Sequence, residues 1–442
     1  PYVEIQKMRD GDNTSVYIGT DPFAIMNDLV QTTVTLTDNF SYYADSHTIT
    51  IGTHNEIFNS SCLYMANALG AYTYTTLDDF LHDRARKYVR NYPIGDPATN
   101  ITSAQFGIYI QDEWNASPRF SMTYGLRADV PMVFGNPPTN EAFNSSDVAQ
   151  KYDIQTSQVP RPSVLLSPRI GLRWRIAETA DAKTLLRGGV GIFSGRIPFV
   201  WISNCFSNTG MTQRGYTLDG SKGQYVPKFG EEPSGTVGVS SNPMINVVAK
   251  DFRYPQIMRA TLALEQEYKG WHFTVEGIFT KSINDLLITN LTAQDKGDKF
   301  YAVNASLANE HNTTTLYDSS LASSYSAIYL LSNTSKGYGY SVSASVAKSF
   351  RFGLDLYASY TIAHSYSVMD GISAQAANTW GRTYSADSNH PELSYSLFDA
   401  PHKVTASLSY TKRYAKVLAK DVYDDFEMVA EKIKMKKQGD GG

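Results

Sequence analysis

Apolar and polar residues alternate with a period of two over long stretches of this chain, the signature of strands with two unlike faces. From Trp271 to Ile283 the odd positions Trp271, Phe273, Val275 and Phe279 oppose His272, Thr274, Glu276, Thr280 and Ser282. Phe352, Leu354, Leu356, Ala358, Tyr360 and Ile362 oppose Gly353, Asp355, Ser359, Thr361 and Ser365. The same alternation runs through Phe120, Met122, Tyr124, Leu126, Ala128 and Val130, and through Ile170, Leu172, Trp174 and Ile176 opposite Arg169, Gly171, Arg173 and Arg175. Each predicts a strand with one apolar and one hydrated face.

The predicted strands come in pairs. Segments 29–43 and 47–58 meet at Asp45-Ser46, 105–115 and 119–133 at Ala116 to Pro118, and 168–177 and 184–195 at Glu178 to Lys183. Segments 257–268 and 271–286 meet at Lys269-Gly270, and 338–348 and 352–366 at Ser349 to Arg351. Between pairs the connections are long and rich in Ser, Asn, Thr, Gly and Pro, whereas compact domains usually connect elements with about 4–6 residues. Short turns on one side and long loops on the other match a transmembrane barrel with periplasmic turns and extracellular loops. The strands, roughly 12–16 residues, exceed the 9–11 or so that cross lipid at a tilt.

Charge placement sharpens this. Arg119, Arg127, Arg169, Arg173, Arg175, Arg187 and Arg259 share the polar faces with Asp129, Glu265, Glu267, Glu276 and Asp355. On a lipid-facing surface such charges would cost up to about 2–4 kcal/mol each at the midplane, so they are expected to line a hydrated interior. Glu265 and Glu267 are expected to pair with Arg259 or Arg127 and to have no catalytic role. Tyr42, Tyr43, Trp114, Trp174, Trp271, Tyr366 and Tyr410 stand near strand ends, as interfacial aromatics do.

Composition agrees. The 442 residues carry 39 Lys+Arg and 43 Asp+Glu, a net charge of −4, with 30 Tyr and 20 Phe. Mean hydropathy is −0.31. Nucleic acid is excluded as the main partner because no basic stripe exists. No continuous apolar run reaches the length of a transmembrane helix. Cys62 and Cys205 leave two readings, a disulfide in an oxidising compartment or two isolated loop thiols, the second being expected.

Several segments in order resemble the TonB-dependent outer-membrane receptors. They are Phe106 to Trp114 with Tyr124 to Asp129, Ser167 to Arg173 with Leu186 to Phe193, and Tyr254 to Gln256. Arg196 to Gly210, with Trp201-Ile-Ser-Asn204 and Ser207-Asn-Thr-Gly210, is similar to the Oar-like branch, whose members carry a carboxypeptidase-regulatory-like domain. The resemblance covers most of 29–411. It implies a barrel of about twenty-two strands, a plug, a TonB-binding segment and energised uptake of a large ligand such as a metal chelate, glycan or peptide.

The fold class expected is therefore all-β, an antiparallel transmembrane barrel wall of about eleven strands, half of the implied barrel, spanning 1–416. Such a wall leaves two unpaired edges, and a closed, plugged barrel would refute it. From Val417 to Lys437 apolar residues recur at helical spacing, with acids leading and lysines following, so a short amphipathic helix is expected over 417–442. The departure from strand texture there reads as disrupted coding sequence or as a capping helix.

No phosphate-binding glycine loop, zinc-protease or nucleophile-elbow signature occurs, and the eight histidines are scattered. No enzyme, cofactor or metal is expected. Arg187 to Phe193 is glycine-rich because a barrel strand needs close neighbours there. Asp78, Asp79, Asp83 and Arg84, with Arg86, Lys87 and Arg90, are expected to form a short polar helix in a loop. Ligand contacts are expected from the loops. Phe199, Trp201 and Trp380, with Asn204 and Asn208, combine aromatic faces with amides and suit glycans or peptides; the alternative is that they pack loops together. The partners expected are outer-membrane lipid, TonB through a region outside the chain, and an extracellular ligand or surface lipoprotein. The rival readings are a soluble or surface-attached β-rich binding protein and a passive porin.

Overall fold

The computed structural model describes residues 1–9, 14–231, 242–301, 313–318, 324–385 and 387–412. The expected tail at 417–442 lies outside the described residues.

Eleven strands form one wall. In chain order they are Asn27–Ala44, His47–Tyr64, Ala98–Ser117, Phe120–Phe134, Leu165–Glu178, Ala182–Ser194, Gln256–Tyr268, Trp271–Asn290, Tyr338–Ser349, Leu354–Ser367 and His402–Tyr410. Each pairs antiparallel with the next. Among the described residues no pairing joins Asn27–Ala44 to His402–Tyr410, so the sheet is open.

Five hairpins alternate with five long connections, as the sequence predicts. Asp45 and Lys269 have φ of 48° and 47°, and Gly270 has 75°. Two consecutive left-handed residues at Lys269-Gly270 suit the mirror-image turn whose twist matches a hairpin. Most strand bounds fall close to the expected ones, but Ala98–Ser117 begins well before 105 and His47–Tyr64 ends after 58.

Register separates the faces. One row of laterally paired residues reads His47, Trp114, Met122, Leu172, Gly188, Leu262, Gly277, Val342, Ile362 and His402. On the opposite face a parallel row reads Arg173, Arg187, Ala263, Glu276, Ser343, Thr361 and Lys403. The apolar row is exposed: Leu262 is 58% accessible and Val342 52%. Soluble proteins rarely leave apolar patches beyond a few hundred Å² uncovered, so this face requires an apolar solvent.

The polar face is knitted by ion pairs. Arg187 reaches over the small side chain of Ala263, placing Nε 2.5 Å from Glu265 and Nη1 3.0 Å from Glu276. This corrects the expected pairing of Glu265 with Arg259 or Arg127. Arg259 instead donates to Thr280 Oγ1 at 3.2 Å, and Arg127 holds Asp129 at 2.7 Å. Both arginines are met by a group in easier reach on their own or the neighbouring strand.

Aromatics gather at the hairpin end, where Tyr43, Trp114, Trp174, Trp271 and Tyr410 stand. Tyr366 belongs to the other end, stacked between Tyr338 and Tyr395 at 4.8 and 4.9 Å.

The described residues outside the wall form further structure. A five-stranded sheet, ordered Gln213–Asp219, Lys87–Pro93, Ala71–Tyr74, Tyr2–Ile5 and Val16–Gly19, encloses a core of Val3, Ile5, Tyr72, Tyr74, Tyr88 and Tyr216. The expected polar helix is only Leu77–Leu81, capped by Thr76, because Lys87 and Arg90 are recruited to the Lys87–Pro93 strand. Met244–Val248 pairs parallel with Ala327–Thr334, which also pairs antiparallel with the end of the Trp271–Asn290 strand. Antiparallel pairing thus holds throughout the wall but not in the loops.

Cys62 and Cys205 are both free and buried, so no disulfide forms. Nor are they loop thiols. Cys62 lies on His47–Tyr64 and Cys205 in the helix Phe199–Ser207.

Candidate functional site

The connection after Ser194 turns back across the polar face of the wall. Arg196 Nη2 donates to Glu56 Oε1 at 2.5 Å, and its guanidinium lies 4.9 Å from the Phe58 ring centre. Phe199 then packs on Phe58 with centroids 5.0 Å apart, and Ser203 and Thr99 share a hydroxyl hydrogen bond of 2.7 Å. These contacts seat the Phe199–Ser207 helix on the second and third wall strands. Ile202, Cys205 and Phe206 fill a core with Leu286, Ile288, Tyr329, Leu331 and neighbours. Burial pushes the Cys205 thiol up to about 12, so it remains a neutral packing group.

Two cavities adjoin this connection, one at Gly195 and Arg196 and the other at Asn204 and Ser207. On one side a cavity of 450 Å³ lies over the polar wall and contains Arg127, Asp129, Glu56 and Arg196. Asp129 and Glu56 are 2% and 6% accessible, each compensated by its arginine. Buried carboxylates need such partners. Arg169 also lines this cavity.

On the other side lies a cavity of 370 Å³ where five segments converge. Phe23 comes from the N-terminal segment, Tyr64 and Asn91 from the second strand and the connection after it, Asn204 and Asn208 from the helix and its end, and Gln375 from the last long connection. Ser207, Gln213, Arg214, Asn242 and Asn246 add to the polar lining from the same connection as the helix, and Ser326 adds to it from the connection after Asn290. Asn204 Nδ2 donates to Ala374 O at 2.6 Å, and Gln375 Nε2 donates to the Tyr64 hydroxyl at 2.5 Å. Asn246 is 3% accessible, and its Oδ1 is buried with no hydrogen-bond partner among the described residues.

Of the five residues singled out from sequence, Asn204 and Asn208 line this cavity. The three aromatics are used to pack loops. Phe199 lies on Phe58, Trp201 Nε1 donates to Ser373 O at 3.1 Å, and Trp380 Nε1 donates to Asn389 Oδ1 at 2.9 Å beside Tyr329. Asn91, Gln213, Arg214, Asn246, Gln375, Phe23 and Tyr64 were not anticipated. The one local signal was Asn246 itself, a carboxamide interrupting the apolar run Met244–Val248. Among the described residues no three His, Cys, Asp or Glu side chains converge as metal ligands would.

Comparison with known proteins agrees with this architecture. The family model described as "Outer membrane beta barrel domain" matches residues 13–419. No curated protein matches. Among solved structures, the outer membrane transporter YddB from Escherichia coli aligns at TM-score 0.48 and 12% identity, covering 93% of this chain and 44% of that one. The copper transporter OprC aligns at 0.46 and 12%, covering 89% and 44%. The siderophore receptor PirA from Pseudomonas aeruginosa aligns at 0.38 and 10%, covering 77% and 43%. The chain therefore spans less than half the length of these structures.

Proposed function

We propose a transport role from one established premise: this chain belongs to the outer membrane beta barrel domain family. It is an outer-membrane protein whose strands cross the bilayer, with the row through Leu262 and Val342 against lipid and the row through Arg187 and Glu276 facing inward.

Our reading is that residues 1–416 act as a receptor and transport wall for a large extracellular ligand, which the folded loops capture and TonB-relayed energy draws inward. The observation that carries it is a pair of cavities along one connection, a carboxamide-lined one among the loops and a charged one over the polar wall. The resemblance of the hairpins to TonB-dependent receptors supplies the energy coupling, and Oar-like is the branch favoured by Arg196 to Gly210. Binding without chemistry fits the site better than catalysis, because its polar lining is mostly carboxamide and holds no nucleophile–base pair. A soluble adhesion module is disfavoured by the exposed apolar row.

The test is uptake by cells that make this protein. Accumulation of ligand that a protonophore abolishes, with heat-modifiable protein in the outer-membrane fraction, is the expected result. Protonophore-resistant uptake would mean a passive pore, and recovery in the soluble fraction would remove the membrane role.

A further inference from the structure

The loop cavity is unusual in what it offers. Its polar lining is dominated by Asn91, Asn204, Asn208, Gln213, Asn246 and Gln375, and among the described residues Arg214 is the one charged side chain on it. Carboxamides present both donors and acceptors, as do hydroxyl groups. Phe23, at the cavity edge, is 56% accessible and leaves a ring face open.

We propose that this cavity binds a neutral saccharide, with ring hydroxyls bridging the carboxamides and a sugar face against Phe23. An anionic metal chelate would meet a single cation, Arg214, where recognition of a multiply charged ligand calls for several. A peptide would satisfy amides as well, and Asn91, Gln213 and Asn246 lie on strands, so a neutral peptide is the competing ligand in the test. This assignment rests on the receptor reading above and names the ligand class for the same site.

Calorimetry on the full chain in detergent tests it. The probes are neutral gluco-, galacto- and manno-hexaoses, the corresponding uronic-acid oligomers, a ferric tris-catecholate and a neutral hexapeptide. Binding by a neutral hexaose, weakened at least tenfold by Asn246→Leu and by Phe23→Ala, is expected. Phe23→Ala alters an exposed side chain and guards against misfolding of the buried variant. Preference for the ferric chelate, the uronic acids or the peptide would overturn the assignment, as would hexaose binding unchanged in both variants or no hexaose binding at all. A chelate that is bound and imported under protonophore control would leave the receptor reading standing while refuting the saccharide. Soluble protein would refute the receptor reading directly.

Discussion

Arg196 and Glu56, 140 residues apart in the chain, form the ion pair that fastens the folded loops to the wall. Glu56 is almost fully buried while Arg196 is half-exposed, so removing the arginine strands a carboxylate that cannot easily reach water. Arg196→Ala is expected to cost roughly 1–3 kcal/mol, the range for losing a charged hydrogen bond at a buried group. It should speed proteolysis within 195–255 before the wall itself unfolds. Glu56→Gln should cost less, because its amide is cheaper to leave buried. If both variants resist protease like the parent, the pair does not anchor the loops.

The two faces of the wall predict opposite tolerance of charge. Leu262→Arg places a guanidinium in hydrocarbon and should destabilise the folded protein in bilayers by about 2–4 kcal/mol. Thr274→Arg, beside Glu265 on the hydrated face, should cost much less. Urea titration of heat-modifiable migration in lipid vesicles reads both, and equal costs would contradict the assigned sidedness.

Glycine in the sixth strand is required by its neighbours rather than by its backbone angles. A Cβ at Gly189 would stand 2.7 Å from Ile170 O and 3.1 Å from Gly171 Cα, both backbone atoms that cannot swing aside. At Gly277 the nearest such atom is Leu262 O at 4.0 Å. Gly189→Val should lower folding yield and cost about 1–3 kcal/mol, as overpacking does. Gly277→Ala should fold like the parent, and folding yields of the two variants side by side would decide it.

The thiols should be silent in the native protein. Neither Cys62 nor Cys205 is expected to react with a disulfide reagent at pH 8 until the chain is unfolded, when both titrate. Because burial raises the Cys205 thiol from 9.0 to about 12, the folded state favours the proton. Its contribution is complete below the ordinary thiol range and falls away as pH rises from about 9 towards 12. A Cys205→Ala variant should lose part of that alkaline sensitivity, visible in midpoints measured at pH 8 and pH 10.5.

Period-two alternation exposed the wall because each strand meets two solvents, so every second residue reports its face. Turn lengths exposed the pairing, since Lys269-Gly270 and Asp45-Ser46 admit nothing but a hairpin. The loops were opaque for the opposite reason. Lys87–Pro93 joins a sheet whose partners include Tyr2–Ile5 and Gln213–Asp219, and no local periodicity records which distant segment a short strand will meet. The cavity was half legible. Asn204 and Asn208 share one helix end, whereas Asn91 and Gln375 become neighbours only when separate connections pack. Trp201 and Trp380 each donate an indole N–H within the packed loops, the alternative use expected of them, because such a group finds a backbone or amide acceptor wherever loops pack.

Ten antiparallel steps separate Asn27–Ala44 from His402–Tyr410, so these two edge strands run in the same direction. Direct contact between them, or a ring of two identical walls, would force a parallel seam. A seam that keeps the antiparallel pattern needs an odd number of strands between the edges, a parity rule that any complete assembly of this wall must obey.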